Sequence, residues 1–409
     1  MPQSVIYGRD VVAPLPLAST GIIYDRSSPD DLSRAAWGCY ESFMTTPPRS
    51  SLGSISDIIG YVALVLIAIV AGSLYFEEQA PPSPPPSPAA VVPRVETPPE
   101  SLLDRLSRQA RSGDVVSQRQ LGEMYYRGLE VRRDYAEAIK WLRMAGDKGD
   151  MIAARYLGYA YSGGHGVDVD HSEAASWWRL ASSKGDDDAA FELAVVHLNG
   201  NGVVRSEAEG LSYCRMAAER GNHHAQYYLG LWYYKGVMVT QSYAEAFSWF
   251  RKSAIQSDMR AQNYIGVMYR DGQSVQRSDA EAFRWFQFAA AHRSAEGCHN
   301  LAQMYAQGRG VKKSEEQASA YFLKGAMLKH LPSQVELARR HVTGEGVSVD
   351  PVEACAWYDL AARAGHSEAT ESRDAMMRSL SSSQVSAARA RADAIKTQIE
   401  AEEAARRHP

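Results

Sequence analysis

From Val115 onward the sequence repeats every 36 residues, in seven copies whose register never changes, and this periodicity constrains the fold more than any other feature. A period of this length is typical of arrays in which each copy is one supersecondary unit. Each copy has a large apolar residue followed directly by a small one, a pattern that indicates closely packed helices. The pairs are Leu121-Gly122, Leu157-Gly158, Leu193-Ala194, Leu229-Gly230, Ile265-Gly266, Leu301-Ala302 and Leu337-Ala338.

The first half of each copy predicts a helix that ends at a glycine. Four residues beyond the large apolar residue, and therefore on the same helical face, comes a tyrosine or a histidine. These residues are Tyr125, Tyr161, His197, Tyr233, Tyr269, Tyr305 and His341. A glycine then follows in every copy, where a helix C-cap favours a residue that tolerates positive φ. The glycines are Gly128, Gly164, Gly200, Gly236, Gly272, Gly308 and Gly344.

The second half of each copy predicts a helix that begins with a capping box, in which Asp or Ser is followed three residues later by Glu or Gln. The pairs are Asp134/Glu137, Asp170/Glu173, Ser206/Glu209, Ser242/Glu245, Ser278/Glu281, Ser314/Gln317 and Asp350/Glu353. The pattern predicts a buried stripe of small residues, each followed three residues later by Trp or Tyr. The aromatic positions are Trp141, Trp177, Tyr213, Trp249, Trp285, Tyr321 and Trp357.

The predicted fold is all-α: an α-solenoid of seven 36-residue helix-turn-helix repeats over residues 115–366. One copy cannot bury its apolar face alone, so successive copies must stack. Residues 101–114 predict a helix that caps the front, and residues 367–409 predict capping helices and a tail. In the tail, Val385, Ala388, Ala392, Ile395 and Ile399 recur at helical spacing. This stripe predicts a helix lying on the last copy or, alternatively, a weak coiled-coil dimer.

The residues before the repeats predict a membrane anchor and a spacer. Residues 1–57 are rich in proline and irregular, and residues 58–76 contain no charge. Nineteen helical residues span roughly 28 Å, close to the roughly 30 Å of bilayer hydrocarbon. Residues 80–100 are proline-rich and predict a semi-rigid linker. A cleaved signal peptide, with translation starting at Met44, is the alternative interpretation of the apolar segment.

The distribution of arginines predicts the orientation of this single span. Arg26, Arg34 and Arg49 precede it, whereas Arg94 is the first basic residue after it. Basic residues remain on the cytoplasmic side of a membrane. We therefore expect a cytoplasmic amino terminus and repeats on the other side.

The repeat resembles the Sel-one-like repeat family, a branch of the tetratricopeptide-like solenoids, and its motif is clearest in Ala153–Gly185. Glu130, Met238 and Ser274 depart from that motif by replacing the second loop glycine. The resemblance implies an adaptor that assembles protein complexes. Because bacterial members are often exported, it also implies a bacterial inner-membrane protein with periplasmic repeats. One cysteine-rich subgroup is connected with β-lactam binding, but this chain lacks the paired cysteines of that subgroup.

Composition and motifs exclude several other functions. The net charge is −4 with interspersed signs, which argues against nucleic acid as a partner. The cysteines are too far apart for a metal knuckle or regular disulfides and predict partly buried free thiols. They are Cys39, Cys214, Cys298 and Cys355. The sequence contains no phosphate-binding loop, zinc-protease motif or nucleophile elbow.

Three groups of ionisable residues are candidate sites. One loop holds His165, Asp168, Asp170 and His171, which could bind a metal weakly, but Asp170 is needed as a helix cap. The pair His223-His224 and the run Asp186–Asp188 lie at helix starts, where solvated polar residues are the simpler interpretation. We therefore predict no metal, no cofactor and no enzymatic activity.

The predicted functional surface is the inner wall formed by the first helices, where copies two to five are rich in aromatic and aliphatic residues. The predicted partner-binding residues are Tyr156, Tyr159, Tyr228, Leu231, Trp232 and Tyr264. Packing between adjacent copies is the alternative role for these side chains. The resulting prediction is a membrane-anchored scaffold for a protein or peptide of the cell envelope. A hydrolase-type activity on peptidoglycan or β-lactams is the alternative function.

Overall fold

The structure is a computed structural model that describes residues 101–407, and every helix in this range belongs to an all-α array. Helix α1 spans Leu102–Arg111, and helices α2 to α15 form the seven copies. The first helices are α2 Val115–Arg127, α4 Met151–Gly163, α6 Asp187–Asn199, α8 His223–Lys235, α10 Met259–Asp271, α12 Ala295–Gln307 and α14 Leu331–Thr343. The second helices are α3 Tyr135–Gly146, α5 His171–Ser183, α7 Glu207–Arg220, α9 Tyr243–Ile255, α11 Asp279–Ala291, α13 Glu315–Met327 and α15 Pro351–Arg363. Helices α16 Ser367–Ser379 and α17 Ser382–Arg407 follow.

The predictions for the amino-terminal part fall outside these residues. They concern the irregular segment 1–57, the apolar span 58–76, the linker 80–100 and Cys39. Among the helices of residues 101–407, none combines the length and apolar character that crossing a bilayer requires.

The second helices begin where the capping pattern places them. In all seven, the N-cap side chain accepts a hydrogen bond from the amide three residues later, as Ser278 does from Glu281. In a full capping box the Glu side chain would accept from the N-cap amide. Here the N-cap amide donates to the first helix instead, as Ser278 does to the Tyr269 carbonyl at 2.9 Å. Glu353 accepts instead from Trp357 Nε1, at 3.0 Å. The cap therefore ties the two helices of a copy together.

The loop between the two helices keeps one backbone shape in every copy. All seven first helices end at a left-handed glycine, as predicted. A Cβ on the second loop glycine would clash with the preceding second helix, lying 2.3 Å from the Asp279 carbonyl oxygen in the case of Gly310. Where this glycine is absent, Glu130, Met238 and Ser274 adopt positive φ of 57°, 63° and 60°. The departures from the motif therefore leave the left-handed conformation intact.

The close packing within each copy joins the small residue of the first helix to a large residue of the second. A Cβ on Gly158 would lie 2.3 Å from Trp178 Nε1. The predicted position of the buried large residue is wrong by one, because the buried column lies one residue after the predicted aromatic positions. Trp357 is buried, but the other six aromatic residues of the stripe are only partly buried. The buried column is Leu142, Trp178, Cys214, Phe250, Phe286, Phe322 and Tyr358.

Successive copies are joined by packing and by a recurring glutamine. Gln226 Nε2 donates to the Ala218 carbonyl of the preceding second helix at 3.0 Å. Gln118 makes the same bond to Ala110 of α1, at 2.9 Å. Helix α1 therefore packs on copy one as a second helix packs on the next copy. First helices of neighbouring copies also contact each other through side chains, as Tyr228 contacts Phe191 and Asn300 contacts Asn263.

Helix α17 lies against the second helices at the end of the array. Its apolar stripe packs in the same cluster as Phe322 and Trp357. Arg391 pairs with Glu353 at 2.7 Å, and Lys329 pairs with Glu403 at 2.7 Å. The stripe is therefore covered by the solenoid, and a coiled-coil dimer through it would require α17 to leave this position. The buried residues of the stripe are Ala388, Ala392, Ile395 and Ile399.

The cysteines of the described residues are free and buried, as predicted for partly buried thiols. They are Cys214, Cys298 and Cys355. Burial raises the pKa of each thiol, most strongly for Cys214. The thiolate form that reacts is thereby disfavoured.

Candidate protein-binding surface

The six residues predicted to bind a partner all lie on first helices, but the structure separates them. Tyr156 and Trp232 are only 4% and 5% exposed. Tyr156 packs edge-on against Tyr126, with the ring centroids 5.2 Å apart. Trp232 lies in the cluster that joins copies three and four. Packing between copies, the alternative role considered above, therefore describes these two side chains.

Tyr159 also belongs to a packed interface. Its ring lies edge-on to Trp178, at 5.8 Å between centroids. Burial raises its pKa well above the ordinary value, and Glu192 and Asp188 act in the same direction. Tyr159 therefore packs within copy two and does not share the cluster of the predicted residues in copies four and five.

Tyr228, Leu231 and Tyr264 meet on copies four and five, where all three are partly exposed. They pack on one buried cluster that includes Tyr227 and Phe250. The Tyr264 ring stacks on Phe250 at 4.8 Å, and the Tyr228 ring contacts Tyr227 at 5.2 Å. Each of these two rings thus packs against another ring and remains partly exposed.

Arg260 completes this surface and was missed in the sequence analysis. Its guanidinium carbon lies 4.2 Å from the ring centroid of Tyr227 and 5.6 Å from that of Tyr228, within cation–π range. Arg260 occupies the same repeat position as His224, 36 residues earlier. That column varies from copy to copy, so the sequence pattern does not indicate the role of Arg260. We call Tyr228, Leu231, Arg260 and Tyr264 the aromatic patch.

Hydrogen bonds fix the guanidinium in the patch. Arg260 Nη2 donates to Asp258 Oδ2 at 2.7 Å and to His224 Nδ1 at 2.9 Å. Burial, together with the neighbouring His223 and Arg260, lowers the pKa of His224 to about 4. At neutral pH the His224 ring is therefore uncharged and accepts the bond.

Copies six and seven present a different surface, an open cavity of about 590 Å³ that we call the charged cavity. Arg340, only 1% exposed, lines it and donates to Glu315 Oε2 at 3.0 Å and to Ser319 Oγ at 3.2 Å. Arg339 pairs with Glu336 at 2.7 Å and with Glu345 at 2.6 Å. Because its arginines are paired with glutamates from within the chain, the cavity offers few free charges to a ligand.

The ionisable residues near the helix starts have several kinds of surroundings. His165 bonds Tyr126 Oη at 2.7 Å, and Asp170 caps α5, so neither is available to a metal. Asp186 is not a solvated residue but is buried and pairs with Arg155 at 3.3 Å. The group of ligand-capable atoms found among the described residues is instead His223, His224 and Asp258.

Two-helix copies that stack through conserved glycine, alanine and capping columns define an α-solenoid repeat protein. The family model of the Sel1 repeat matches all seven copies, and the chain belongs to the Sel1 repeat family. The matched residues are 115–150, 152–186, 187–222, 223–258, 260–294, 295–330 and 331–366. Repeats of this family generally mediate protein–protein interaction, typically in scaffolds without catalytic activity.

Two solved structures are similar to the chain. One is c5321, described as a protective antigen of uropathogenic Escherichia coli with an SLR fold, at 32% identity and a TM-score of 0.67. That match covers 74% of this chain and 65% of the antigen, so the chain spans just under two-thirds of its length. The other is a Sel1 repeat protein from Oxalobacter formigenes, with 30% identity, a TM-score of 0.54 and coverage of 66% and 78%. No curated protein matched the chain.

Proposed function

We propose that this chain is a scaffold that binds a protein partner through the aromatic patch of copies four and five. The observation that carries the proposal is that Tyr228, Leu231 and Tyr264 pack on one buried cluster there and all remain partly exposed. Rigid aromatic rings and arginine are the side chains that most often dominate binding energy at protein interfaces. Because the rings are already held in place, a partner need not order them on binding.

The chemistry of the patch indicates the kind of segment it would bind. Arg260 is neutralised by Asp258, so the patch offers apolar ring edges and a weakly hydrated guanidinium face. A peptide segment with apolar or aromatic anchors fits such a surface better than a strongly charged one. The charged cavity is less suited to this role because its arginines and glutamates are paired with each other.

We propose further that residues 58–76 anchor the chain in a bacterial inner membrane and that residues 80–100 hold the repeats away from it. The uncharged span and the arginines that precede it support this topology. Two similar proteins, both from bacteria, support the bacterial setting. The amino terminus is then cytoplasmic, the repeats are periplasmic, and the partner belongs to the cell envelope.

An alkaline phosphatase fusion at the carboxyl end tests the topology, since this enzyme becomes active outside the cytoplasm. The proposal predicts an active fusion. Inactivity of an intact fusion protein would place the repeats in the cytoplasm and overturn this part of the proposal.

Site-specific photocrosslinking tests the binding surface. A photoreactive amino acid is placed at Tyr228 in the full chain, and a matched probe is placed at Phe288, which is 53% exposed on the second helix α11. The proposal predicts that one protein crosslinks to the probe at position 228 in cells and does not crosslink at position 288. Equal crosslinking at both positions, or crosslinking at position 288 alone, would contradict it.

We also propose that the chain has no hydrolase activity of its own. Turnover assays with peptidoglycan fragments and a chromogenic β-lactam test this statement, with no product expected above the buffer control. Product formation that disappears when Arg340 and His299, both in the wall of the charged cavity, are replaced would favour the enzyme alternative.

A further inference from the structure

The starts of two neighbouring first helices bring together three side chains that can act as metal ligands. His223 and His224 open α8, and Asp258 is the N-cap of α10. Nδ1 of His223 lies 3.3 Å from Asp258 Oδ2, and Nδ1 of His224 lies 3.9 Å from the same oxygen. One donor atom from each residue therefore lies within 4.8 Å of the other two.

A positively charged nitrogen already lies among these atoms. Arg260 Nη2 is 2.7 Å from Asp258 Oδ2 and 2.9 Å from His224 Nδ1. A guanidinium can only donate, so the ring nitrogen of His224 accepts with its lone pair. A carboxylate lone pair and an imidazole lone pair thus converge on a cation, as they would on a metal ion.

The carboxylate is held so that one oxygen is directed to the histidines. Asp258 Oδ1 accepts from the backbone amides of Arg260 at 3.0 Å and Ala261 at 3.1 Å, in the manner of a helix cap. The carbonyl of His223 accepts from Ser253 Oγ at 2.8 Å, which fixes the backbone of the first histidine. Outer hydrogen bonds of this kind orient ligands at metal sites.

We propose that His223, His224 and Asp258 bind a divalent transition metal of the zinc class, and that this ion and the Arg260 guanidinium exclude each other. Two imidazoles with one carboxylate suit Zn²⁺, Ni²⁺ and Cu²⁺. Like charges repel at this distance, so the metal enters only when Arg260 withdraws. Its side chain is 33% exposed and has a long stem, so rotation into solvent is open to it.

The test is a titration of the full-length chain, purified without a polyhistidine tag, with Zn²⁺ alone by calorimetry. One tight site per chain is expected. His224→Ala should weaken it at least about tenfold, whereas Arg260→Gln should tighten it about tenfold by removing the competing cation. Asp258→Asn should weaken binding while preserving the fold, because asparagine is an equally good N-cap.

His165→Ala in copy two is the matched control and should leave Zn²⁺ affinity unchanged. Visible absorption of bound Co²⁺ gives a second readout, and its ligand-field bands should be lost in His224→Ala and retained in His165→Ala. The proposal is overturned if Zn²⁺ fails to bind. It is equally overturned if the wild type, His224→Ala and Arg260→Gln bind Zn²⁺ with the same affinity.

Discussion

The first helices of copies four and five have the same backbone fold as those of copies six and seven, but their exposed side chains differ in chemistry. In the same repeat column, Tyr228 and Tyr264 in the former are replaced by Asn300 and Glu336 in the latter. The aromatic pair packs on buried rings, whereas Glu336 pairs with arginines. The comparison teaches that the core, loop and cap columns maintain the solenoid, while this surface column varies without disturbing it.

The two surfaces also differ in how their charges are stabilised. In the charged cavity, a fully buried arginine depends on ion pairs with Glu315 and Glu336. In the aromatic patch, Arg260 is partly exposed and lies over rings. Loss of charge should therefore affect folding in copies six and seven, and loss of aromatic area should affect binding in copies four and five.

The largest effect is expected for Arg340→Ala. This change removes a buried cation from its ion pairs with Glu315 and Glu336, which then keep only Lys313 and Arg339 as partners, and should lower the free energy of unfolding by about 3 kcal/mol. Urea unfolding followed by circular dichroism measures it. Arg339→Ala is the matched control, since that side chain is 41% exposed, and should cost about 0–1 kcal/mol. An equal decrease in the free energy of unfolding in both variants would contradict the prediction that the buried arginine contributes more to stability than the exposed one.

A swap between the two surfaces tests the binding role. Tyr228→Asn introduces the copy-six side chain into copy four and removes the ring that stacks on Phe191 at 5.8 Å. Affinity for the partner that crosslinks at position 228 should fall by about 2 kcal/mol, as is typical of aromatic hot spots. The reverse change, Asn300→Tyr, should leave affinity unchanged. A loss of equal size from both substitutions would contradict the assignment of the patch.

A third prediction concerns a carboxyl group in the same column that lacks the pairing of Glu336. Glu192 is 4% exposed, and burial raises its pKa to about 8, with Asp188 contributing. The folded state therefore retains a proton that the unfolded chain releases above its ordinary value of 4.5. The contribution of Glu192 to the free energy of unfolding is fully present below pH 4.5 and is lost as the pH rises through 8.

Glu192→Gln removes the cost of ionising this buried carboxyl group. At pH 9 the variant should be more stable than the wild type by about 2 kcal/mol, with little difference at pH 5. Thermal or urea unfolding at the two pH values measures the difference. Glu336→Gln is the control, because loss of its ion pairs should destabilise the chain at both values. A wild type whose stability relative to Glu192→Gln does not change with pH would contradict the prediction.

The smallest effect is expected in the loops of copies five and six. Ser274 has φ of 60°, so Ser274→Gly should relieve backbone strain and stabilise by about 0.5 kcal/mol. The reverse change in copy six, Gly310→Ser, should destabilise by more, because its Cβ would meet the Asp279 carbonyl. Unfolding midpoints compare the two variants, and a destabilising Ser274→Gly would show that the serine side chain supports the loop.

The sequence predicts the solenoid well because its determinants are local. Caps such as Asp134 and C-cap glycines such as Gly164 act within a few residues, so the pattern along the chain is sufficient to place each helix. The fully packed column could not be placed, because Trp177 and Trp178 are adjacent and only the neighbouring helix decides which one is covered. Trp178 is buried against Gly158, and Trp177 is only partly buried.

Burial divides the predicted partner-binding residues for the same reason. Tyr228 and Tyr264 remain accessible, while Tyr156 and Trp232 are covered by adjacent copies. Which tyrosine a neighbour covers depends on contacts between helices 30 to 40 residues apart. Arg260 was overlooked because a single arginine in the sequence carries no sign of the rings beneath it.

The most direct test of the central statement is the affinity of the full chain with Tyr228→Ala and Tyr264→Ala combined, measured against the protein that crosslinks at position 228. Circular dichroism and the unfolding midpoint establish that the double variant is folded. We predict that its affinity falls by about 100-fold or more, as expected for two central aromatic anchors. A folded double variant that binds this protein as tightly as the wild type would contradict the account.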